Sequence, residues 1–253
     1  MRILVIPDVQ AKSGVPLEHL DWIGRFIVDK RPDVIVQIGD FADLPSLSSY
    51  DWGKKSFEGR RYKTDVESVI EAQGRLLHPL FALQDKQIKN KQKVYTPRQV
   101  ITLGNHCERI NRAVNNDAKL DGVLSISDLQ YEEFGWEVHP FLSVVNIGGV
   151  CFSHYFTSGV AGRPVTSPNT LITKKHVSCV MGHTQNDGIA SQYTAEGKRI
   201  TGIFAGACYL HDEEYLGAQG NKHFRGVWML YDVKDGEFSP LQIPLEYLQQ
   251  KYG

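Results

Sequence analysis

Side chains that can bind a divalent cation follow five short apolar segments of the sequence. They are Asp8 in PDVQ, Asp40 and Asp43 in GDFAD, Asn105 and His106 in GNHCE, His154 in FSHY, and His183 in GHTQ. Taken singly, each of these short sequences is most often a turn or a structural histidine. Five of them at successive strand ends, with carboxylate, amide and imidazole donors, are not explained by turn chemistry and indicate a metal site.

The segments that precede these residues are typical of buried strands. Residues 3–7 and 34–38 are short, β-branched apolar runs, as expected for strands of a sheet that is covered on both faces. Between them, apolar residues recur at helical spacing from Leu17 to Val28, which predicts a helix. Because ligands of α/β sheets bind at the carboxyl ends of the strands, we expect the polar side chains to meet there.

The chain continues this alternation and then becomes mostly β. We predict a helix over residues 65–84, a strand over residues 100–103, a helix after His106 and a strand over residues 177–181. Glycine-containing turns predict hairpins in the second half. These turns are at 148–149, 196–197 and 235–236. The pattern predicts an α/β protein whose residues 1–253 form a single domain.

Two stretches are expected to be long loops near or around the site, residues 44–64 and residues 86–98. The first combines basic residues with Trp52, Phe57 and Tyr62, which suits a stackable, phosphate-bearing substrate such as a nucleotide or a single strand. The alternative is that its rings pack on the body of the protein while its charges are solvated. The second stretch has basic but no acidic residues, and we interpret it as a solvated surface.

In this order the five motifs resemble those of the calcineurin-like metallophosphoesterase superfamily, which read DxH, GDxxD, GNH(D/E), an isolated His, and GHxH. The resemblance covers residues 8–185. It implies an α/β fold of a particular kind, a four-layer αββα sandwich with two mixed β-sheets. It also implies a centre of two divalent metal ions at the carboxyl edge of the sheets.

The resemblance assigns metal ligands. Asp40 would bridge both ions. Asn105, His154 and His183 would complete one ion site, and Asp8 would belong to the other.

The resemblance also implies that His106, oriented by Asp43, stabilises the transition state or protonates the leaving oxygen. Chemistry supports this role, because a leaving alkoxide needs a proton or a positive hydrogen-bond donor. Two cations about 3.5–4 Å apart activate water and neutralise developing charge.

Two positions depart from the family motifs, since Gln10 and Gln185 stand where the family has histidines that ligate the same ion. We hypothesise that amide oxygens replace imidazole nitrogens there. Oxygen ligands favour hard ions, so Mn²⁺ is the expected cofactor, with Mg²⁺, Fe and Zn²⁺ as alternatives. The competing hypothesis is a weakly occupied site, filled only when substrate brings the ion.

Other residues give weaker signals. Cys107 lacks the Cys-x5-Arg spacing of thiol phosphatases, and we interpret it as a packing residue. Arg109, near a helix start, fits either a substrate phosphate or a surface salt bridge. His211, His223 and Arg225 follow the last motif and are expected to be surface residues.

Composition narrows the class of partner. The chain has 253 residues with 28 Lys+Arg and 29 Asp+Glu, which argues against a surface built wholly for nucleic acid or anionic lipid. Phosphate binding must therefore be local. The four cysteines are widely spread, which indicates neither a disulfide framework nor a zinc knuckle and favours a cytoplasmic location. No apolar run approaches the roughly 20 residues that cross a bilayer, so we expect no membrane partner.

The sequence therefore predicts a metal-dependent phosphoester hydrolase. We expect a phosphodiesterase that acts on nucleotide or nucleic-acid phosphoesters through in-line attack by metal-bound hydroxide. The first alternative is a phosphomonoesterase that acts on phosphoproteins or small phosphoesters. The second is a non-catalytic scaffold with the same fold, which the two glutamines keep open. The oligomeric state does not follow from the sequence.

Overall fold

Strands and helices alternate in the first half of the chain, and strands predominate in the second half. The computed structural model describes residues 1–51, 53–213 and 216–253. The order of elements is β1 (Ile3–Ile6), α1 (Glu18–Lys30), β2 (Val34–Gln37), α2 (Tyr62–Lys89), β3 (Arg98–Thr102), α3 (Glu108–Asn116), β4 (Glu137–His139), β5 (Val145–Ile147), β6 (Val150–Phe152), α4 (Pro168–Lys175), β7 (Cys179–Met181), β8 (Asp187–Tyr193), β9 (Arg199–Ala205), α5 (Gly217–Gly220), β10 (Gly226–Lys234), β11 (Glu237–Pro244) and α6 (Leu245–Tyr252). Short 3-10 helices lie at Pro45–Leu47, Lys55–Phe57, Ala118–Leu120 and Ile126–Leu129.

The first sheet contains the strands of the predicted α/β half. Its order is β11-β10-β1-β2-β3-β4. Strands β1 to β4 run parallel, while β10 is antiparallel to β1 and β11 to β10. Val5 in β1 lies opposite Val36 in β2 and Trp228 in β10. The carboxyl ends of β1, β2 and β3 therefore lie at one edge of this sheet.

The second sheet comes from the later strands, in the order β5-β6-β7-β9-β8. Strands β6, β7 and β9 are parallel, and the outer strands β5 and β8 are antiparallel to their neighbours. The hairpins predicted at 148–149, 196–197 and 235–236 are confirmed, since these turns join β5 to β6, β8 to β9 and β10 to β11. Both sheets are mixed.

The two sheets pack face to face. Fully buried apolar side chains from both sheets fill the space between them, and burial of each contributes about 1.5–3 kcal/mol relative to exposure. They include Ile3, Val5, Val36, Phe152 and Ile203. Because successive side chains of a strand point to opposite faces, the intervening residues of β1 and β2 point away from the second sheet.

Helices cover the outer faces of both sheets. Leu4 of β1 belongs to the same core as Ile23 of α1 and Leu76 of α2. On the other side, Leu171 of α4 packs with Phe204 of β9. The structure is therefore the predicted four-layer αββα sandwich with two mixed β-sheets.

Helix α2 is longer at both ends than the predicted span of residues 65–84. It covers Tyr62–Lys89, so the predicted loops at 44–64 and 86–98 were too long. The segment after residue 84 is rich in Lys and Gln, which favour helix, and contains no Gly or Pro that would end it. Trp52, one of the three aromatic residues named for the first of these loops, lies outside the described residues. None of the described helices is both long and apolar enough to cross a membrane.

The segments that leave the strands stay together at the carboxyl edge. Asp8 forms an isolated parallel bridge with Ala207, beyond β9, and Ala11 forms one with Ala42, beyond β2. The Ala11 N–H donates to Phe41 O at 2.8 Å. These backbone contacts alone hold the loops that follow the strands beside one another.

Candidate metal centre

Motif glycines make room for acidic side chains at the carboxyl edge. A Cβ on Gly104 would overlap Asp40 Oδ1 and the Asp40 nitrogen, and a Cβ on Gly182 would overlap Asp8 Oδ1. The freed space lets backbone groups bind these carboxylates. The His106 N–H donates to Asp40 Oδ1 at 2.9 Å, and the His183 N–H donates to Asp8 Oδ1 at 3.0 Å.

Four predicted ligands converge at the end of both sheets. His154 Nε2 lies 2.9 Å from Asn105 Oδ1 and 3.3 Å from Asp40 Oδ2. His183 Nδ1 lies 2.8 Å from the same Asn105 oxygen. One ligand atom each from Asp40, His154 and His183 lies within 4.8 Å of the others. The donor set is one carboxylate, one amide oxygen and two imidazoles, which suits a divalent transition metal.

The orientation of His154 fits a metal ligand. Its Nδ1 lies 3.0 Å from Ile38 O, and because a carbonyl oxygen only accepts, Nδ1 carries the proton. In the neutral ring the lone pair of Nε2 then faces the oxygens of Asp40 and Asn105. Lone pairs on both sides of these contacts repel unless a proton or a cation lies between them. A hydrogen bond from the second ring nitrogen to a carbonyl is also usual for metal-binding histidines.

Burial and neighbouring charges shift the pKa values of the acidic and histidine residues in this cluster. Burial alone would raise the pKa of Asp40, but His106 and His154 outweigh it and hold this pKa below its ordinary value. Burial lowers the pKa of His154, and Asp40 overcomes it and raises this pKa to about 9. Burial and the charge of His154 lower the pKa of His183 to about 4. Without an ion, the cluster thus takes up a proton in the place where a cation would fit.

The residues predicted for the other ion lie next to this cluster. Asp8 is fully buried, and among the described residues its Oδ2 has no hydrogen-bond partner. Burial raises the pKa of Asp8 to about 7, a rise that the nearby Asp40 charge reinforces. Gln10 is 1% exposed, and neither polar atom of its carboxamide has a partner in the described part of the chain. Orphaned buried groups of this kind require a bound ion or water.

Gln185 differs from Gln10, because its carboxamide has a protein partner. The buried Tyr209 hydroxyl donates to Gln185 Oε1 at 3.0 Å. Tyr209 OH also lies 3.3 Å from His223 Nε2. Beside Asp40, the described structure thus leaves Asp8 Oδ2 and the Gln10 carboxamide without hydrogen-bond partners, whereas the predicted Gln185 oxygen accepts from a tyrosine.

His106 and Asp43 form a hydrogen-bonded pair beside the ion ligands. His106 Nδ1 lies 2.8 Å from Asp43 Oδ1, and His106 Nε2 lies 3.8 Å from Asp40 Oδ2. Asp43 is nearly buried; burial would raise its pKa, but His106 and Lys12 hold it well below the usual range. An ionised Asp43 accepts the Nδ1 proton and leaves Nε2 facing the cluster.

Arg109 is not the surface salt bridge of the alternative prediction. Its guanidinium donates to Asp43 O at 2.9 Å and to Leu44 O at 3.3 Å, and its second amino group lies 3.2 Å from His106 Nε2. A guanidinium in this position, beside His106, can also bind an oxygen of a phosphate group.

Two further residues around the site, Lys12 and Glu213, were not marked by any sequence motif. Lys12 Nζ lies 2.9 Å from Asp43 Oδ2 and 2.6 Å from Glu213 Oε1. Glu213 Oε1 also lies 2.7 Å from His211 Nε2. The prediction that His211 is a surface residue was wrong, because Glu213 and the stacked ring of Tyr209 enclose it. Only the position of Lys12, two residues after Gln10, could have suggested a role.

Several charged side chains of the segment after Asp43 pair with groups of the same segment. Arg60 donates to Pro45 O at 3.0 Å and to Asp51 at 2.8 Å, and Lys54 pairs with the same Asp51. Arg60 also lies over the ring of Phe57 at 5.6 Å. These contacts favour the packed alternative for part of this loop.

Cys107 is buried beside Tyr131, and burial raises its thiol pKa to about 11, which agrees with a packing residue.

No family model matches the chain. The gene 54 proteins of Mycobacterium phages D29 and L5 are 28% and 27% identical to it over 200 and 198 residues, covering 74% of this chain and 70% of each relative. The solved structure of YfcE, described as a phosphoesterase from E. coli, is 12% identical, covers 97% of this chain and 100% of that chain, and has a TM-score of 0.39. A TM-score this low carries no argument, so the fold assignment rests on the sheets and layers themselves.

Proposed function

We propose that this chain is a metal-dependent phosphoester hydrolase of the calcineurin-like metallophosphoesterase type. One observation carries the proposal. His154 Nε2 points at oxygens of Asp40 and Asn105 at 3.3 and 2.9 Å, an arrangement that needs a cation or a proton, next to the His106–Asp43 pair. When bound there, divalent cations would activate water and neutralise the charge that develops on phosphorus oxygens.

The protein groups divide the remaining work. Asp43 accepts the proton of His106 Nδ1 at 2.8 Å and so fixes the ring with Nε2 toward the cluster. We assign His106 Nε2 to the leaving oxygen. In the imidazolium form, with the Nδ1 proton held by Asp43, the Nε2–H group would donate a proton or a hydrogen bond to that oxygen. Arg109 Nη2, 3.2 Å from this nitrogen, is suited to a nonbridging phosphate oxygen.

We propose Mn²⁺ as the preferred metal at both positions. Asp40, Asn105, His154 and His183 would hold one ion. Asp8 and Gln10 would supply oxygen atoms to a second ion that Asp40 shares, and an oxygen-rich site favours Mn²⁺ or Mg²⁺ over Zn²⁺. Because Tyr209 engages Gln185 Oε1, we expect this second ion to bind more weakly.

For the substrate we propose a phosphodiester of a nucleotide or a nucleic acid. Support comes from exposed basic side chains on the segment that leaves the site after Asp43, where Lys55 and Arg61 are exposed and make a local patch on a chain of net charge −1. Such a patch suits a phosphate backbone. A phosphomonoesterase remains the second candidate, since the same ligands serve monoesters.

The test compares two model substrates in the presence of Mn²⁺. We expect hydrolysis of bis-p-nitrophenyl phosphate with a higher kcat/KM than p-nitrophenyl phosphate, and loss of both activities in EDTA. The reverse preference would establish the monoesterase. Single turnover in ¹⁸O-labelled water should place one labelled oxygen directly in the product phosphate, because no protein nucleophile is assigned.

The non-catalytic scaffold makes a different prediction. His106→Ala removes the proposed proton donor without removing an ion ligand, so we expect unchanged Mn²⁺ content and a fall in kcat of about 10²–10⁴-fold, the usual size of a general acid's contribution. Absence of any metal-dependent hydrolysis in the wild type would favour the scaffold, whereas full activity of His106→Ala would remove His106 from the catalytic residues.

A further inference from the structure

A chain of charged groups extends from His106 away from the ion ligands. It runs from His106 Nδ1 to Asp43 Oδ1 at 2.8 Å, from Asp43 Oδ2 to Lys12 Nζ at 2.9 Å, and from Lys12 Nζ to Glu213 Oε1 at 2.6 Å. His211 Nε2 closes it at 2.7 Å from the same Glu213 oxygen. All these side chains are mostly shielded from water, with Lys12 the most exposed at 18%. Screening by solvent is therefore weak, and these contacts are stronger than surface ion pairs.

The geometry around Asp43 gives Lys12 a defined task. A carboxylate that binds only one partner can rotate about its Cβ–Cγ bond. In this structure Oδ1 faces His106, with Arg109 Nη1 at a longer 3.5 Å, and Oδ2 is held by the Lys12 ammonium at 2.9 Å. Lys12 thereby fixes the plane of the carboxylate, and that plane sets the direction of the hydrogen bond that orients His106.

Glu213 in turn fixes Lys12. A lysine side chain has four rotatable bonds and loses rotamer freedom when it is held in place, so it needs a second anchor to stay at one position. The main chain of Glu213 is itself pinned, because its N–H donates to Asn221 Oδ1 at 2.8 Å and its carbonyl accepts from Asn221 Nδ2 at 2.8 Å. The anchor is therefore held before substrate arrives.

We propose that Lys12 and Glu213 are positioning residues of the active site, which act through Asp43 to hold His106 in line with the leaving oxygen. The inference rests on the proposed function, because it assumes that His106 assists departure of an alcohol. It adds the segment after β9, which no motif marks, to the catalytic unit. Neither residue contacts the ion ligands in the described structure, so metal binding does not depend on them.

The experiment uses two diesters that differ only in the leaving group, methyl p-nitrophenyl phosphate and methyl phenyl phosphate. Phenol is the poorer leaving group and depends more on the proton donor. For Lys12→Met we expect kcat to fall about 10–100-fold on the phenyl ester, the usual size of an outer-shell effect, and severalfold less on the p-nitrophenyl ester. KM and Mn²⁺ content should change little.

Glu213→Gln keeps the size of the side chain and should show the same leaving-group pattern with a smaller loss. Because Glu213 acts through Lys12, the double variant should be no slower than Lys12→Met alone, a non-additivity expected of coupled residues. Lys251→Met and Asp29→Asn, which break an exposed pair 3.7 Å apart between α6 and α1, are the matched controls and should leave both rates unchanged.

Three outcomes overturn the inference. They are equal losses on both esters, a change confined to KM, which would make Lys12 a direct substrate contact, and strictly additive losses in the double variant. The near-isosteric Glu213→Gln carries the test if Lys12→Met does not fold. If wild-type protein with Mn²⁺ hydrolyses neither ester, the proposed function itself fails. If the wild type is active, His106→Ala is inactive, and the Lys12 and Glu213 variants are unaffected, only the positioning role is refuted.

Discussion

At the scale of single residues, His154 has the most constrained environment in the candidate metal centre. It is fully buried, and both of its ring nitrogens lie within 3.0 Å of an oxygen. The protein fixes the ring through Ile38 O and leaves Nε2 for the ion. Loss of this nitrogen should therefore affect metal binding before anything else.

We expect His154→Gln to lower the Mn²⁺ affinity by at least about tenfold and kcat/KM in parallel, because an amide cannot reproduce both ring contacts. Metal content after gel filtration and activity at saturating Mn²⁺ measure the two effects. His139→Ala, which removes a histidine at the end of β4 that pairs with Glu137, is the control. Unchanged metal affinity in His154→Gln would remove His154 from the ligand set.

Gln10 offers the opposite test, a gain of metal binding. Its carboxamide is buried and lacks a partner among the described residues, so an imidazole can replace it without breaking a hydrogen bond. We expect Gln10→His to raise the affinity for the second ion by about tenfold or more and to shift preference toward Zn²⁺. Isothermal titration with Mn²⁺ and Zn²⁺ checks this, with exposed Gln92→His as the control. An unaltered second affinity would contradict a site at Asp8 and Gln10.

At the scale of elements, the strand-to-loop turns determine how closely the ligands approach. Gly104 lies two residues beyond the end of β3, against the Asp40 carboxylate and backbone. We expect Gly104→Ala to destabilise the fold by about 1–3 kcal/mol, the usual cost of overpacking, and to impair metal binding. Chemical denaturation with and without Mn²⁺ measures both.

Gly74→Ala is the matched control for that substitution. Gly74 lies inside α2 with no atom within 4 Å of an added Cβ, so alanine should stabilise the helix by up to about 1 kcal/mol. Equal effects of the two substitutions would show that the close approach at Gly104 is not limiting.

The strand ends explain why much of the site could be predicted from the sequence. Residues such as Asp40 and Asn105 follow short apolar strands with recognisable motifs, and parallel pairing brings them together. Lys12 and Glu213 could not be predicted, because they meet only through the path of the long segment after β9. The end of α2 was missed for a local reason, because Lys86, Lys89 and Asn90, which are typical of a helix end, were interpreted as part of a charged loop.

At the scale of the whole molecule, the candidate metal centre links folding to pH. Asp40 raises the pKa of His154 from 6.5 to about 9 against the effect of burial. The metal-free folded state therefore holds a proton that the unfolded chain has lost. This contribution to stability is complete below pH 6.5 and disappears as the pH rises through about 9.

A metal ion must displace this proton, so its stabilising effect should grow with pH. We expect the increase in Tm caused by saturating Mn²⁺, relative to EDTA, to become larger from pH 6.5 to pH 8.5. Differential scanning fluorimetry at several pH values measures it. Titrating groups away from the proposed ligands affect both samples alike, whereas Asp8, whose pKa burial raises to about 7, loses its proton in the same range and adds to the increase. An increase that shrinks over this range would contradict a proton shared by the His154 cluster.

The proposed ion ligands come from both sheets, with Asp40 and Asn105 after β2 and β3, and His154 and His183 after β6 and β7. An ion bound to them would act as a crosslink between two halves of the sandwich that are far apart in the chain. Chelation should therefore accelerate amide hydrogen exchange in loops of both halves together, so that they open as one cooperative unit.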